Sequence, residues 1–300
     1  MWSGKIGSFT VKKLRVTIAL GQKGLNFDDK NNTIVAENLR VSATIQSGNG
    51  AIQPNAKIMI YGLSQNVMNR ISKISWNIKQ EKLNSIKLEA SSDGGQTYTT
   101  VYFGTITFAY PNYGSAPEVI LTVDSVTAMN HQILPAKPLS FKGEVDVAGV
   151  ISEICKSMDM RFENSGVTAK VSNAYLPQTA LEKITELCKA VDATVTLEVN
   201  TIAITPRGQP RNIKVPIISP QTGLIGYPTP TLQGVSLQCL FDPLIKHNGQ
   251  IEIRNSLIES TNGQWRIYGL THYLESEIAG GRWFSAIDAS RLDAGVKIAK

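Results

Sequence analysis

The sequence predicts a β-rich α+β protein in which two β domains flank a compact α/β module. Three observations carry that expectation. Residues 1–135 alternate apolar and polar side chains with period two and are rich in β-branched residues. Residues 136–210 switch to two helical stripes followed by a hairpin. Residues 211–293 return to strands separated by Asn-Gly and Gly-Gly turns, and residues 294–300 form a tail without strong periodicity.

The first domain opens with FTVKKLRVTIAL (9–20), a strand followed by a turn at Gly21-Gln22-Lys23-Gly24. ENLRVSATIQ (37–46) is a second strand ended by SGNG, and AKIMIYGL (56–63) a third. Val67, Ile71 and Ile74 then fall at helical spacing with Ser64 placed to cap, so a short helix is expected over 65–74. SIKLEASSDGGQTYTTVYFGTITFAY (85–110) holds a hairpin turning at Asp93-Gly94-Gly95, and VILTVDSV (119–126) closes the set. Six or seven strands and one short helix suggest a small barrel or a sandwich.

In the middle, Val147, Val150, Ile151, Ile154, Cys155 and Met158 share one helical stripe behind the capping residue Asp146. A second helix starts with a capping-box pattern, Thr179 and Glu182, and buries Leu181, Ile184, Leu187, Cys188 and Val191. TVTLEVNTIAIT (194–205) reads as a hairpin turning near Asn200. Pro135 and Pro138 on one side and PRGQP on the other bound this module. The last part contains the strands VSLQCLF (235–241), GQIEIRNSLI (249–258), GQWRIYGLTHYLES (263–276) and GRWFSAIDAS (281–290). Asn248-Gly249, Asn262-Gly263 and Gly280-Gly281 mark turns between them.

Residues 215–241 carry no charged side chain. The run is long enough to cross a bilayer, but Pro216, Pro220, Pro228 and Pro230 leave no uninterrupted helix. It reads as an extended, turn-rich connector leading into VSLQCLF, lying against protein.

The two β parts contain a weak repeat. YFGTITFAY, a loop and VILTVDS in the first correspond to YGLTHYL, a loop and WFSAIDAS in the second. Gly104 lies 20 residues before Asp124 and Gly269 lies 19 before Asp288. The match is short, and coincidence is the competing explanation; if real, the chain carries two copies of one β domain.

The formal net charge is +6. Residues 1–135 hold 13 Lys and Arg against 8 Asp and Glu, residues 136–206 hold 7 against 9, and residues 207–300 hold 10 against 7. No dense basic run occurs, so a solvated surface explains the excess better than a nucleic-acid site. Three widely spaced cysteines, Cys155, Cys188 and Cys239, fit buried thiols in a reduced compartment. MWSGKIGSFTVKK lacks the apolar run of a signal peptide, so synthesis and folding in a cytoplasm are expected. His131, His247 and His272 lack zinc-ligand spacing, no CxxC or GxSxG occurs, and GQKG matches a phosphate loop only loosely. Trp265, Trp283, Tyr268 and Tyr273 fit strand core or interface positions better than a sugar platform, and Glu275 and Glu277 fit exposed strand charges. No catalytic set, cofactor site or metal site is expected.

The order of these parts resembles the baseplate hub of contractile bacteriophage tails, of the Mu type, and is distantly similar to the spike-bearing hubs of secretion machines. The likeness runs through FTVKKLRVTIAL, NLRVSATIQSGNGAIQPNAKIMIYGLSQNVMNRIS, YFGTITFAY with VILTVDS, TALEKITELCKAVDATVTLEVNTIAITPRG and ISPQTGLIGYPTPTLQGVSLQCLFDP. It covers roughly residues 8–290 and rests on their order, with no single decisive motif. It implies two tail-tube-like β-barrel domains, residues 1–135 and 211–293, an α/β domain between them, and a homotrimer. It also implies a virion tail baseplate location, where the hub contacts a trimeric central spike, tail tube subunits and baseplate wedge or neighbouring baseplate proteins. DNA would pass only transiently through the lumen, with no membrane insertion and with the excess Lys and Arg facing outward.

Such an assembly gives the uncharged run a role. Gly223, Gly226, Tyr227, Pro228, Pro230 and Gly234 form a candidate interface, in which prolines pre-order the chain and glycines permit close backbone approach. A loop packed on its own domain is the alternative. Other readings of the chain are a tail tube or tube-initiator subunit, a cell-wall-degrading enzyme or peptidoglycan-binding tail protein, and a host-receptor binder.

Overall fold

A computed structural model describes residues 10–21, 26–27, 31–48, 53–72, 83–114 and 116–292. Its first β part consists of β1 (Lys13–Ala19), β2 (Thr33–Ala36), β3 (Val41–Gln46), β4 (Asn55–Tyr61), α1 (Gln65–Ile71), β5 (Ser85–Ser91), β6 (Thr99–Asn112) and β7 (Ile120–Val126). Period-two burial holds in β1, where Leu14, Val16 and Ile18 point into the core. Ser64 caps α1 by accepting from the Val67 N–H. The β5–β6 turn is built on Asp93, whose carboxylate accepts from the N–H groups of Gln96 and Thr97 and from hydroxyls of Ser91 and Thr97. Those bonds hold its pKa well below the usual carboxylate range, the Ser91 hydroxyl contributing most. Strand β2 was not expected: TIVA is only four residues long between polar neighbours. The expected GQKG turn beyond Gly21, the end of SGNG, the helix beyond Ser72 and residues 294–300 lie outside the described residues.

The middle comprises α2 (Met129–Ile133), β8 (Leu139–Ser140), β9 (Glu144–Asp146), α3 (Val147–Ser157), β10 (Arg161–Asn164), β11 (Lys170–Ser172), β12 (Tyr175–Leu176), α4 (Ala180–Ala190), β13 (Ala193–Glu198) and β14 (Thr201–Pro206). Strand β14 lies between β10, its parallel neighbour, and β13, its antiparallel one, while β9–β11 and β8–β12 form small separate pairs. The Asp146 carboxylate accepts from the Gly149 N–H at 2.7 Å to cap α3. At α4 the Glu182 carboxylate accepts from both the backbone N–H and the hydroxyl of Thr179. The two helices bury their apolar stripes in one core with Val195, Leu197, Ile202 and Ile204 of the hairpin. Cys155 and Cys188 lie inside that core, where burial pushes both thiols up to about 12.

The last part is formed by β15 (Ile217–Ile218), β16 (Leu224–Thr231), β17 (Gly234–Leu240), β18 (Gln250–Ile253), a 3₁₀ turn (Glu259–Thr261), β19 (Gly263–Ser276) and β20 (Trp283–Arg291). The uncharged run is therefore more ordered than a connector: eight of its 27 residues form strand β16, antiparallel to β17. Two of its prolines are tolerated because β16 is an edge strand, with no second neighbour among the described residues to receive a ladder bond. Cys239 is buried here, its thiol likewise pushed up to about 12 by desolvation. Trp265 and Trp283 are core residues, and Tyr268 and Tyr273 are half-buried.

Among the described residues the two β parts form one sheet, ordered β16-β17-β20-β19-β3-β4-β7-β6-β5-β1-β2, with β18 also paired to β19 and β15 to β18. One strand order occurs twice within it: β3-β4-β7-β6-β5 and β16-β17-β20-β19-β18. In both sets a 14-residue strand carries a bulge beside the aspartate of its partner. On β6 the irregularity falls between Ile106 and Phe108, with Phe108 opposite Asp124. On β19 it falls between Ile267 and Gly269, with Gly269 opposite Asp288. The repeat thus exists as a topology, but its glycines do not correspond. Gly269 matches Phe108, and Gly104 makes a different contact, since a Cβ there would lie 2.3 Å from the Tyr102 hydroxyl.

No barrel closes among the described residues. The hairpin edge of the first set, β3, takes its second neighbour from the other set, β19, with Val41 opposite Ser276 and Gln46 opposite Thr271. Two cores result. One gathers Leu14, Ile58, Ile86 and Leu121 with Phe241, Leu274 and Trp283 from the last part, and the other holds Val235, Ile251, Trp265 and Ile287. Leu274, fully buried, belongs by sequence to the last part and by packing to the first. Leu274→Ala should lower the unfolding free energy by about 2–5 kcal/mol. Because the parts share a sheet, urea denaturation followed by tryptophan fluorescence should show one shifted transition; two separate transitions would mean that they unfold independently.

Candidate assembly interface

The six candidate interface residues all lie on or beside the β16–β17 hairpin, and they divide in two. Gly223 has φ +105°, and a Cβ there would press on Leu240 at 3.1 Å; its carbonyl accepts from the Leu240 N–H. Gly234 has φ +146°, and a Cβ there would lie 2.1 Å from the Ala289 carbonyl oxygen. Pro228 is buried. These three seat the hairpin on its own sheet. Gly226 has φ +67° and open space around it, Tyr227 is exposed, and exposed Pro230 lies opposite Val235. Gly226, Tyr227 and Pro228 span an irregularity in the pairing between Ile225 and Thr229, which pushes Ile225 and Tyr227 outward. Leu232, at the hairpin tip, is fully exposed.

A second uncharged surface was not anticipated. β6 pairs with β5 only up to Thr105, so from Ile106 to Asn112 it has β7 on one side and no described strand on the other. Phe108 and Tyr110 project there with ring centroids 5.2 Å apart, both exposed. No charged residue occurs from Thr99 to Asn112. Sequence alternation alone cannot find such an edge, because it depends on which neighbour a strand lacks.

A buried ion network sets the module against the last β part. The Arg211 guanidinium, 6% exposed, donates to both oxygens of Glu163 at 3.0 and 2.7 Å and to Glu198 at 2.6 Å. Lys246 reaches Glu198 at 2.9 Å. The Asn248 carbonyl accepts from the Arg211 N–H, and the Asn248 side chain donates to Thr205. Hydrogen bonding from Arg211 lowers the Glu163 pKa. Nearby, His247 is buried with its Nδ1 unpartnered, and His272 pairs its Nδ1 with the Ser285 hydroxyl at 2.7 Å. Burial depresses both imidazoles to about 4.

A cleft of about 630 Å³ lies between the start of β6 and the module, with Lys87, Phe103, His131, Arg161, Glu198 and Lys246 among its walls. Lys246 and Lys87 there are paired with Glu198 and Glu89, and burial lowers the His131 pKa. Among the described residues no group of three or more His, Cys, Asp or Glu could hold a metal ion. No helix there is long and apolar enough to cross a membrane, which says nothing of strands. Glu275 is an ion-pair residue, bound to Arg282 and Ser42, and Glu277 occupies a turn at φ +55°.

A family model described as Baseplate hub gp41 matches residues 13–279. Among solved structures, the 43 kDa tail protein of prophage MuSo2 from Shewanella oneidensis aligns with TM-score 0.59 at 10% identity, covering 93% of this chain and 97% of that one. The tail protein from Neisseria meningitidis MC58 aligns with TM-score 0.58 at 9% identity, over 93% and 96%. The E. coli c3393 protein, described as a type VI secretion component structurally similar to bacteriophage T4 tail proteins gp27 and gp5, aligns with TM-score 0.56 at 10% identity, over 84% and 73%. At these identities the likeness is one of fold. No curated protein sequence matches the chain.

Arg211→Met should destabilise the protein by about 3 kcal/mol, because it strands two partly buried carboxylates; a thermal melt against the parent measures it. The histidines set a pH dependence. Both are neutral in the fold, whereas the unfolded chain protonates them below about 6.5. Stability should therefore fall from about pH 6.5 towards pH 4, by up to about 1.4 kcal/mol per pH unit per histidine. The depressed Glu163 adds a further loss at lower pH. His272→Gln should reduce the slope by one proton in urea titrations run across that range.

Proposed function

From the chain's membership of the baseplate hub gp41 family, shown by the match over residues 13–279, we propose that it is the central hub of a contractile tail baseplate. Family membership makes it a structural component of a virion tail. In the proposed assembly three copies form a ring that joins the six-fold tail tube above to a trimeric spike below, with neighbouring baseplate proteins outside.

The observation that carries this reading is the strand order that occurs twice in one chain. Three chains then offer two related sets each, so a three-fold ring presents six similar β units to the tube. A tube or tube-initiator subunit needs only one such unit, and the duplication is therefore without purpose in that role. Each set would act as a tube-like barrel once neighbouring chains complete its open edges. DNA would cross the lumen only during ejection, which favours outward-facing Lys and Arg, since a basic wall would hold the phosphates by releasing their counterions.

Light scattering of the purified chain, alone and with its cognate spike protein, tests the reading. A mass of three chains that gains one spike trimer is expected; a monomer in both conditions would refute it. Ile225→Asp is a cleaner interface probe than changes at Gly226 or Pro228, because its side chain is exposed whereas Pro228 supports the fold. It should yield monomers with an unchanged circular dichroism spectrum.

A further inference from the structure

The chain already contains one join between its two strand sets, and that join specifies how a second would be made. The hairpin edge of the first set, β3, lies on the C-terminal half of the long strand of the second, β19. Among the described residues, the corresponding surfaces that no strand pairs are the hairpin edge of the second set, β16, and the C-terminal half of the long strand of the first, β6. We propose that β16 of one chain pairs antiparallel with β6 of the next copy, in the arrangement that β3 adopts on β19.

This inference rests on the ring reading above and names its contact. The contact is head-to-tail, each chain giving one edge and receiving the other, which is the kind that closes into a ring. Both edges have the character of covered surfaces. Natural edge strands are normally protected by charged side chains; Leu224–Thr231 and Thr99–Asn112 have none and expose Ile225, Tyr227, Phe108 and Tyr110. The opposite end of the sheet needs less protection, because β2 is only four residues long.

The existing join also sets the register. Matching the sets at their bulges makes Tyr110 the counterpart of Thr271, and matching them at their hairpins makes Thr231 the counterpart of Gln46. Thr271 lies opposite Gln46, so Tyr110 should lie opposite Thr231 of the neighbouring chain. In this register Pro111 meets Pro230, the counterparts of the paired His272 and Ile45. Each proline removes a ladder donor from its own edge. Facing one another, these two interrupt one step of the ladder together, while Pro228 lies in the irregular stretch between Ile225 and Thr229. Leu232 takes the place of Ser47, whose N–H donates to the Leu270 carbonyl at the existing join.

Paired cysteines test the contact. The Ser47–Leu270 bond makes Gln46 and Thr271 a non-hydrogen-bonded pair, for which Cα atoms are about 4.5 Å apart, within disulfide reach. The double variant Tyr110→Cys with Thr231→Cys, mildly oxidised, should give chains covalently linked up to the trimer on a non-reducing gel. Each single variant should stay unlinked, since all three native cysteines are buried. Trimers by light scattering that do not cross-link would overturn this pairing and leave the hub reading standing. Cross-linking into rings of another size would support the pairing and overturn the three-fold count. An unmodified chain that remains monomeric, with no cross-link in the double variant, would overturn both.

Discussion

The ladder between β3 and β19 is the constraint on which the rest of the architecture depends. It joins Val41–Gln46 to Thr271–Ser276, and its polar lock spans the chain: the Ser42 hydroxyl donates to Glu275, 233 residues away. Arg282 binds the same carboxylate. Leu274 and Trp283 follow the ladder into the first core, where Phe241 meets the Trp283 ring edge-on at 5.7 Å. With the sets joined this way, the α/β module is an excursion that leaves after β7 and returns at Arg211. Its seat on the last β part is then fixed by a guanidinium held between Glu163 and Glu198.

Local chemistry was the most legible part of the sequence. Ser64, Asp146 and the Thr179–Glu182 pair cap the helices they precede, and Asp93 organises the turn expected of it, because each acts on backbone groups a few residues away. The uncharged run reads as a connector because its four prolines exclude a continuous helix; that argument says nothing against an edge strand, which tolerates Pro228 and Pro230. The shared sheet was illegible for another reason. Period-two alternation tells which face of a strand is buried and nothing about which strand lies beside it, so two separate β domains and one continuous sheet read alike. The repeat was visible in its aspartates but misaligned at its glycines, since the real marker is a bulge, a pairing irregularity with no fixed residue type.

The candidate surface was half legible. Absence of charge drew attention to the run that holds β16, and glycine and proline chemistry accounts for Gly223, Gly234 and Pro228, all used within the chain. The exposed aromatic pair on β6 gave no comparable signal, because Phe108 and Tyr110 look like ordinary strand residues until β5 ends at their doorstep. Two uncharged edges, one on the hairpin of one strand set and one on the long strand of the other, suit a protein whose role in a virion tail is to be one part of an assembly.

The span of the β3–β19 ladder also bears on how the molecule comes into being. Strand β3 leaves the ribosome early and stays without its second neighbour until Thr271–Ser276 has been translated. Loop closure over such a distance is entropically slow to find, and an unmated strand in the meantime invites pairing with other nascent chains. Completion of the first strand set must therefore wait for that stretch, and a product that terminates before residue 271 would lack the partner of β3 altogether. Premature products of this kind would be unable to complete the first strand set, and incorporation into a particle would be confined to copies that extend through β19.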